Sequence, residues 1–151
     1  MGVFRKRKKG FTVIEIVVVV AIIAVLATIV TVSTVAILKS SEKKSATSSL
    51  TNYWNLSVQA FNQINLGFTT LNRPNSSFLA SRLGKAAGDV IVGQNECLVL
   101  SDGRIHIQYT DNPESTKNRY QIKRIVIKYK DHYYYTDDGK TIYGPRDSLV
   151  A

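Results

Sequence analysis

IVVVVAIIAVLATIVTVSTVAIL, residues 16–38, is the stretch whose reading decides the fold. It runs for 23 residues without a charge, a glycine or a proline. As a helix it spans roughly 35 Å, enough to cross a hydrocarbon core of about 30 Å. Its Val/Ile content would suit a buried strand, but no ordinary strand is this long. It is also too long for the apolar core of a secretory signal, and no A-x-A-like site closes it before Lys39. The run therefore predicts a transmembrane helix.

Immediately upstream lies KKGFTVIE, residues 8–15. Five of the chain's 20 Lys and Arg residues crowd into positions 5–9, and no acid accompanies them. This leader accounts for much of the formal net charge of +9; without it fifteen bases face eleven acids. A nucleic-acid reading of whole-chain charge would mostly be counting this tag, whose simpler use is to hold the segment's start on the cytoplasmic side. Glu15 is the anomaly. A carboxylate at a membrane helix centre costs about 2.5–3.5 kcal/mol on insertion scales, and less near its end. Something must repay that cost.

Downstream, residues 39–66 contain no proline and no glycine until Gly67. Leu50, Trp54, Val58 (or Ser57), Phe61 and Ile64 recur at the three-to-four spacing of one helical face. One continuous helix is expected from about Thr12 to Leu66, with Gly67 as its stop. Its second half should present the apolar stripe, Trp54 included, to a covering sheet. Residues 68–77, with Arg73-Pro74-Asn75, read as a loop, and Phe78–Leu83 as a short helical turn. Strand-like runs follow at Glu96–Leu100, Arg104–Tyr109, Arg119–Tyr129, His132–Thr136 and Thr141–Tyr143. Turn signals at Ser101-Asp102-Gly103, Asp111-Asn112-Pro113, Asp131 and Asp137–Lys140 separate them. Alternation slips near Lys123-Arg124, where a bulge is expected. The fold class is α+β: a long N-terminal helix, transmembrane in its first half, packed by its second half on a small sheet of four or five antiparallel strands.

Gly10-Phe11-Thr12-Val13-Ile14-Glu15, set between a basic leader and a long apolar helix, resembles the N-terminus of type IV pilins and pseudopilins. The resemblance is carried by residues 5–38, and the helix-then-sheet layout extends it over the chain. It implies a leader of residues 1–10 removed by a prepilin peptidase, with cleavage between Gly10 and Phe11 and N-methylation of Phe11. It further implies a filament-core helix over 11–38, an amphipathic continuation over 39–67 and a β-rich head over 68–151. Glu15 would pair with the Phe11 ammonium of a neighbouring subunit and so fix axial register. The implied partners are other pilin subunits, the prepilin peptidase, the assembly machinery and the membrane. The implied location is a single pass in the cytoplasmic membrane, then a cell-surface filament. Two departures stand out. Ala24 and Val32 occupy positions where the family often has a helix-loosening glycine and proline. Cys97 is the only cysteine, so the disulfide of many Gram-negative pilins cannot form. The two departures together lean towards a Gram-positive source and towards a minor subunit.

Three functional classes compete: a subunit of a pilus, secretion or competence filament; a signal-anchored surface binding protein that never polymerises; and a membrane-anchored enzyme. The register of Gly10 and Glu15 favours the first. No nucleophile, phosphate-loop or dinucleotide motif supports an enzyme, and no metal or other cofactor is expected. His106 and His132 read as solvated strand residues, Asp137-Asp138-Gly139 as a turn rather than part of a calcium loop, and the sequons at Asn55 and Asn75 as accidental. Within RYQIKRIVIKYKDHYYY, Lys123, Arg124 and Lys128 alternate with aromatics and are candidate nucleic-acid contacts of a DNA-uptake pilin. The favoured alternative is a sheet whose outer lysines protect an edge.

Overall fold

The computed structural model describes residues 10–94 and 103–147, apart from the side chains of residues 30–33. The expected strand Glu96–Leu100, Cys97 within it, most of the Ser101-Asp102-Gly103 turn and the basic leader lie outside the described residues. Helix α1 (Val13–Asn65) is followed by α2 (Ser76–Leu83) and a 3-10 turn at Ala87–Asp89. Five strands complete the chain: β1 (Val90–Gly93), β2 (Ile105–Asp111), β3 (Tyr120–Tyr129), β4 (His132–Thr136) and β5 (Tyr143–Arg146). The chain divides into two compact units, residues 1–40 and residues 41–151.

In the first unit α1 is unbroken from Val13, and every described side chain from Gly10 onward is exposed. Composition explains this: valine and isoleucine cover all sides, so there is no polar face to turn outward and no apolar stripe to turn inward. A helix apolar all round is suited to lipid. By length and composition it can cross a membrane.

In the second unit the remaining turns of α1 bury Ala46, Leu50, Ser57, Ala60, Phe61 and Ile64. The face is the expected one, with Ser57 rather than Val58 at its centre. Trp54 departs from expectation: it is half-buried, packed on the edge of the core. Gly67 ends the helix with φ +73°, its N–H donating to the Ile64 carbonyl and that of Phe68 to Gln63. This left-handed closure favours glycine. Asn75 caps α2, its side-chain oxygen accepting from the Phe78 N–H at 2.8 Å.

The sheet order is β1-β2-β3-β4-β5. All neighbours are antiparallel except β1 and β2, which run parallel. The sequence reading missed β1, whose four residues Val-Ile-Val-Gly are too few to show an alternation. The bulge is where alternation slipped: Gln108 pairs with Arg124 and Tyr109 with Ile122, so Lys123 is the extra residue. It returns Ile125 and Ile127 to the face already taken by Tyr120 and Ile122, and all four pack against the core of the helix. Each such aliphatic or aromatic side chain contributes about 1.5–3 kcal/mol on full burial. Phe61, Tyr109 and Tyr120 lock helix to sheet through edge-to-face contacts at 5.7 and 5.8 Å. His106 corrects another expectation. It is 2% exposed, on the opposite face of the sheet beside Val126, and is not solvated.

Candidate processing and assembly site

Thr12 stands one residue before α1 and Glu15 at its third position. The Glu15 N–H donates to Thr12 Oγ1 at 3.3 Å, while Glu15 Oε2 accepts from the Thr12 N–H at 2.7 Å and from its hydroxyl at 2.9 Å. This is a reciprocal capping box, which satisfies two of the donors that a helix start leaves without partners. It gives Glu15 a role within its own chain, one the sequence reading overlooked. The T-x-x-E spacing was the signal. The carboxylate also sits where the helix dipole favours negative charge.

Gly10 and Phe11 precede the helix in non-helical, exposed backbone, with Phe11 at 84% exposure. Apart from its chain neighbours, no heavy atom of the described residues lies within 4 Å of the position a Cβ at Gly10 would take. The box fixes where the helix starts, and so leaves the Gly10–Phe11 bond outside it.

The nucleic-acid candidates lie elsewhere, on β3, and β3 is the central strand of the five. Its lysines therefore protect no edge, which corrects that alternative. Arg124 grips Asp137 with two bonds, 2.6 and 3.0 Å, and lies 4.7 Å from the centroid of the Tyr135 ring. Arg146 covers the same ring at 5.1 Å, and Tyr143 stacks on it at 4.8 Å. Lys128 Nζ lies 5.7 Å from the Tyr133 centroid. Lys123, the bulge residue, is taken out of the alternation. The aromatic faces are thus occupied by the chain's own cations, and Tyr133 and Tyr135 are buried. The geometry brings Arg124 and Lys128 to one face, where Tyr133 and Tyr135 are buried and Tyr143 is the exposed ring beside them.

Asp138 closes the β4–β5 connection. It accepts from the N–H groups of Lys140 and Thr141 and from the Thr141 hydroxyl, bonds that lower its carboxyl pKa from the ordinary 3.8 to about 2. His132 Nδ1 lies 3.1 Å from Asp147 Oδ1. At the start of the second unit, Glu42 on α1 forms an ion pair with Lys130 of the β3–β4 turn.

Residues 5–31 match the family model described as the prokaryotic N-terminal methylation motif. Comparison with curated proteins and with solved structures gives no match. The matched segment includes Gly10, Phe11, Thr12 and Glu15. By it, the chain carries a type IV pilin-like prepilin motif at its N-terminus, continuous with a helix apolar and long enough to anchor in a membrane.

Proposed function

We propose that the protein is a structural subunit of a type IV pilus or of a related secretion or competence filament, assembling through α1. The observation that carries this reading is the single acid of the apolar helix, held at its third position one turn after the Gly10–Phe11 junction. Cleavage there would remove residues 1–10 and create an ammonium at Phe11. A carboxylate offers about four lone-pair sites, so two bonds from Thr12 leave acceptor capacity for a second group. The Phe11 ammonium of an adjacent subunit fits that capacity and repays the desolvation of Glu15. Residues 11–38 then form the filament core, residues 39–67 the support of the head, and residues 68–151 the exposed surface.

Mass spectrometry of the N-terminal peptide from sheared surface material tests the reading. A peptide beginning at methylated Phe11 is expected. An intact Met1 or Gly2 terminus would leave a signal-anchored surface protein as the better description. The engagement of Arg124 by Asp137 argues against a DNA-binding role for Arg124.

A further inference from the structure

In the second unit α1 and β3 lie side by side, tied at both ends. Asn65, the last residue of α1, exchanges two 2.9 Å bonds with the N–H and C=O of Tyr120, the first residue of β3. Glu42, near the other end, pairs with Lys130, which directly follows β3. The spans between the two ties match, roughly 35 Å of helix against roughly 33 Å of strand. The β3–β4 turn is therefore held beside the first turns of α1 in this unit. Strand β2 runs antiparallel to β3 and pairs His106 with Val126, so Arg104 stands at the same end.

Cations crowd that end. Lys43 and Lys44 on α1, Arg104, Lys128 and Lys130 are all exposed. Acids there have company: Glu42 is engaged by Lys130, Asp147 lies beside His132, and Asp89 shares a cleft with Lys85 and Arg104. Asp131 is exposed in the turn. Among the described residues no ion pair engages Lys43 or Lys44. These two lysines stand five and six residues past Leu38, where the apolar run ends, about 9 Å of helix at most. A headgroup layer adds about 5–8 Å to each side of the hydrocarbon core, and charge is felt for about 8 Å beyond it in physiological salt. Chain connectivity alone thus keeps both ammonium groups within reach of lipid headgroups. Basic residues just beyond a span also oppose the orientation that the leader sets, so their place there calls for a counter-charge.

We infer that this end of the second unit, through Lys43, Lys44 and Lys130, binds the headgroups of anionic phospholipid in the membrane that α1 crosses. A lysine ammonium is a compact point charge on a flexible stem, with three donors and no fixed fork. It suits a phosphodiester in a fluid layer, where no single geometry is held. A zwitterionic headgroup answers each phosphate with its own amine and gains little from the lysines. Tethering by α1 makes the lipid contact effectively intramolecular, an advantage that a polyanion in solution lacks. The inference needs α1 to span a bilayer; it needs neither cleavage at Gly10 nor polymerisation.

The test uses full-length protein in a non-ionic detergent, titrated with phosphatidylglycerol or phosphatidylcholine of the same acyl chains, with bound lipid counted by native mass spectrometry. Phosphatidylglycerol should bind about tenfold tighter, and the preference should shrink at about 0.5 M salt. Joint replacement Lys43→Gln and Lys44→Gln should cut the preference about fivefold or more. Glu42→Gln removes an acid and releases Lys130, so it should raise the preference about threefold, a gain that misfolding does not produce. Lys117→Gln, at the Tyr120 end of β3, should change nothing. Equal affinity for the two lipids overturns the inference, as does an unchanged preference in the double variant or a lower one in Glu42→Gln. An equal fall in Lys117→Gln would trace the preference to overall charge and overturn it too. Tighter binding of a short DNA duplex, lost in the same double variant, would assign these lysines to nucleic acid instead.

Discussion

Helix α1 is one element with two interiors. Up to Ser40 all its described side chains are exposed, and apolar residues point in every direction. From Ser41 the same helix buries one stripe, flanks it with half-buried residues and exposes the opposite side. The first stretch is made for lipid or for other helices, and its information content lies in one polar residue, Glu15. The second stretch is made for its own sheet, and its information is spread over Leu50, Phe61 and Ile64. A substitution should therefore act on assembly in the first stretch and on folding in the second.

The largest effect expected is at Glu15. Glu15→Val should insert normally, since it makes the segment more apolar, yet its content in sheared filaments should fall at least about tenfold, equivalent to losing about 1.4 kcal/mol of pairing. Normal amounts in filaments would reduce Glu15 to its capping bond with Thr12. Leu50→Ala comes next. Fully buried, it should destabilise the head by about 2–5 kcal/mol, read from the urea midpoint of the near-UV signal in detergent. Val20→Ala, in the first stretch, should leave that midpoint unmoved. Equal losses at both positions would break the division of labour.

Smaller effects sharpen the boundary of the core. Trp54→Ala should cost about 1–2 kcal/mol, below the roughly 3–5 of a fully buried ring. Gly139→Ala should be of similar size, because φ is +72° and the added Cβ meets the indole. The pair should be non-additive, since removing the ring removes the clash; strict additivity would mean that backbone strain alone acts at Gly139. Asp138 gives a pH signature. Its folded pKa of about 2 lies below the ordinary 3.8, so its contribution is complete above pH ~4, fades as the pH falls, and is gone below ~2. Asp138→Asn should flatten the acid limb of a stability–pH curve in that window. An unchanged limb would mean that the turn bonds do not favour the carboxylate.

The two stretches were also unequally legible. Length and composition alone identified the first, because nothing else is so uniformly apolar. In the second, the three-to-four spacing located the buried face, Gly67 the stop and the broken alternation the bulge at Lys123. What escaped were properties set by neighbours distant in sequence. Strand order placed β3 in the centre and buried His106, and no local pattern distinguishes a central basic strand from an edge. The brevity of β1 hid its parallel pairing with β2. Thr12 is a different case, since its capping spacing was in plain view but was eclipsed by the question of what Glu15 does between subunits.

The smallest expected effect is none at all, and it concerns the shape of α1 after assembly. Residues 16–38 hold neither glycine nor proline, and the backbone is helical throughout that span. Opening a turn in an apolar surrounding costs several kcal/mol for each group left unbonded. The valines and isoleucines lower helix propensity by only tenths of a kcal/mol each. Thr28 bonds its hydroxyl back to the Val25 carbonyl at 2.7 Å, a contact that bends helices slightly without breaking them. Ala24 and Val32 supply no break. The helix should therefore stay continuous from Val13 to Asn65 inside a filament, with gentle curvature at most. A cryo-EM filament map checks it. An extended stretch between Ala24 and Val32 would mean that lattice packing overrides the local sequence, and that the first stretch takes its shape, as well as its partners, from its neighbours.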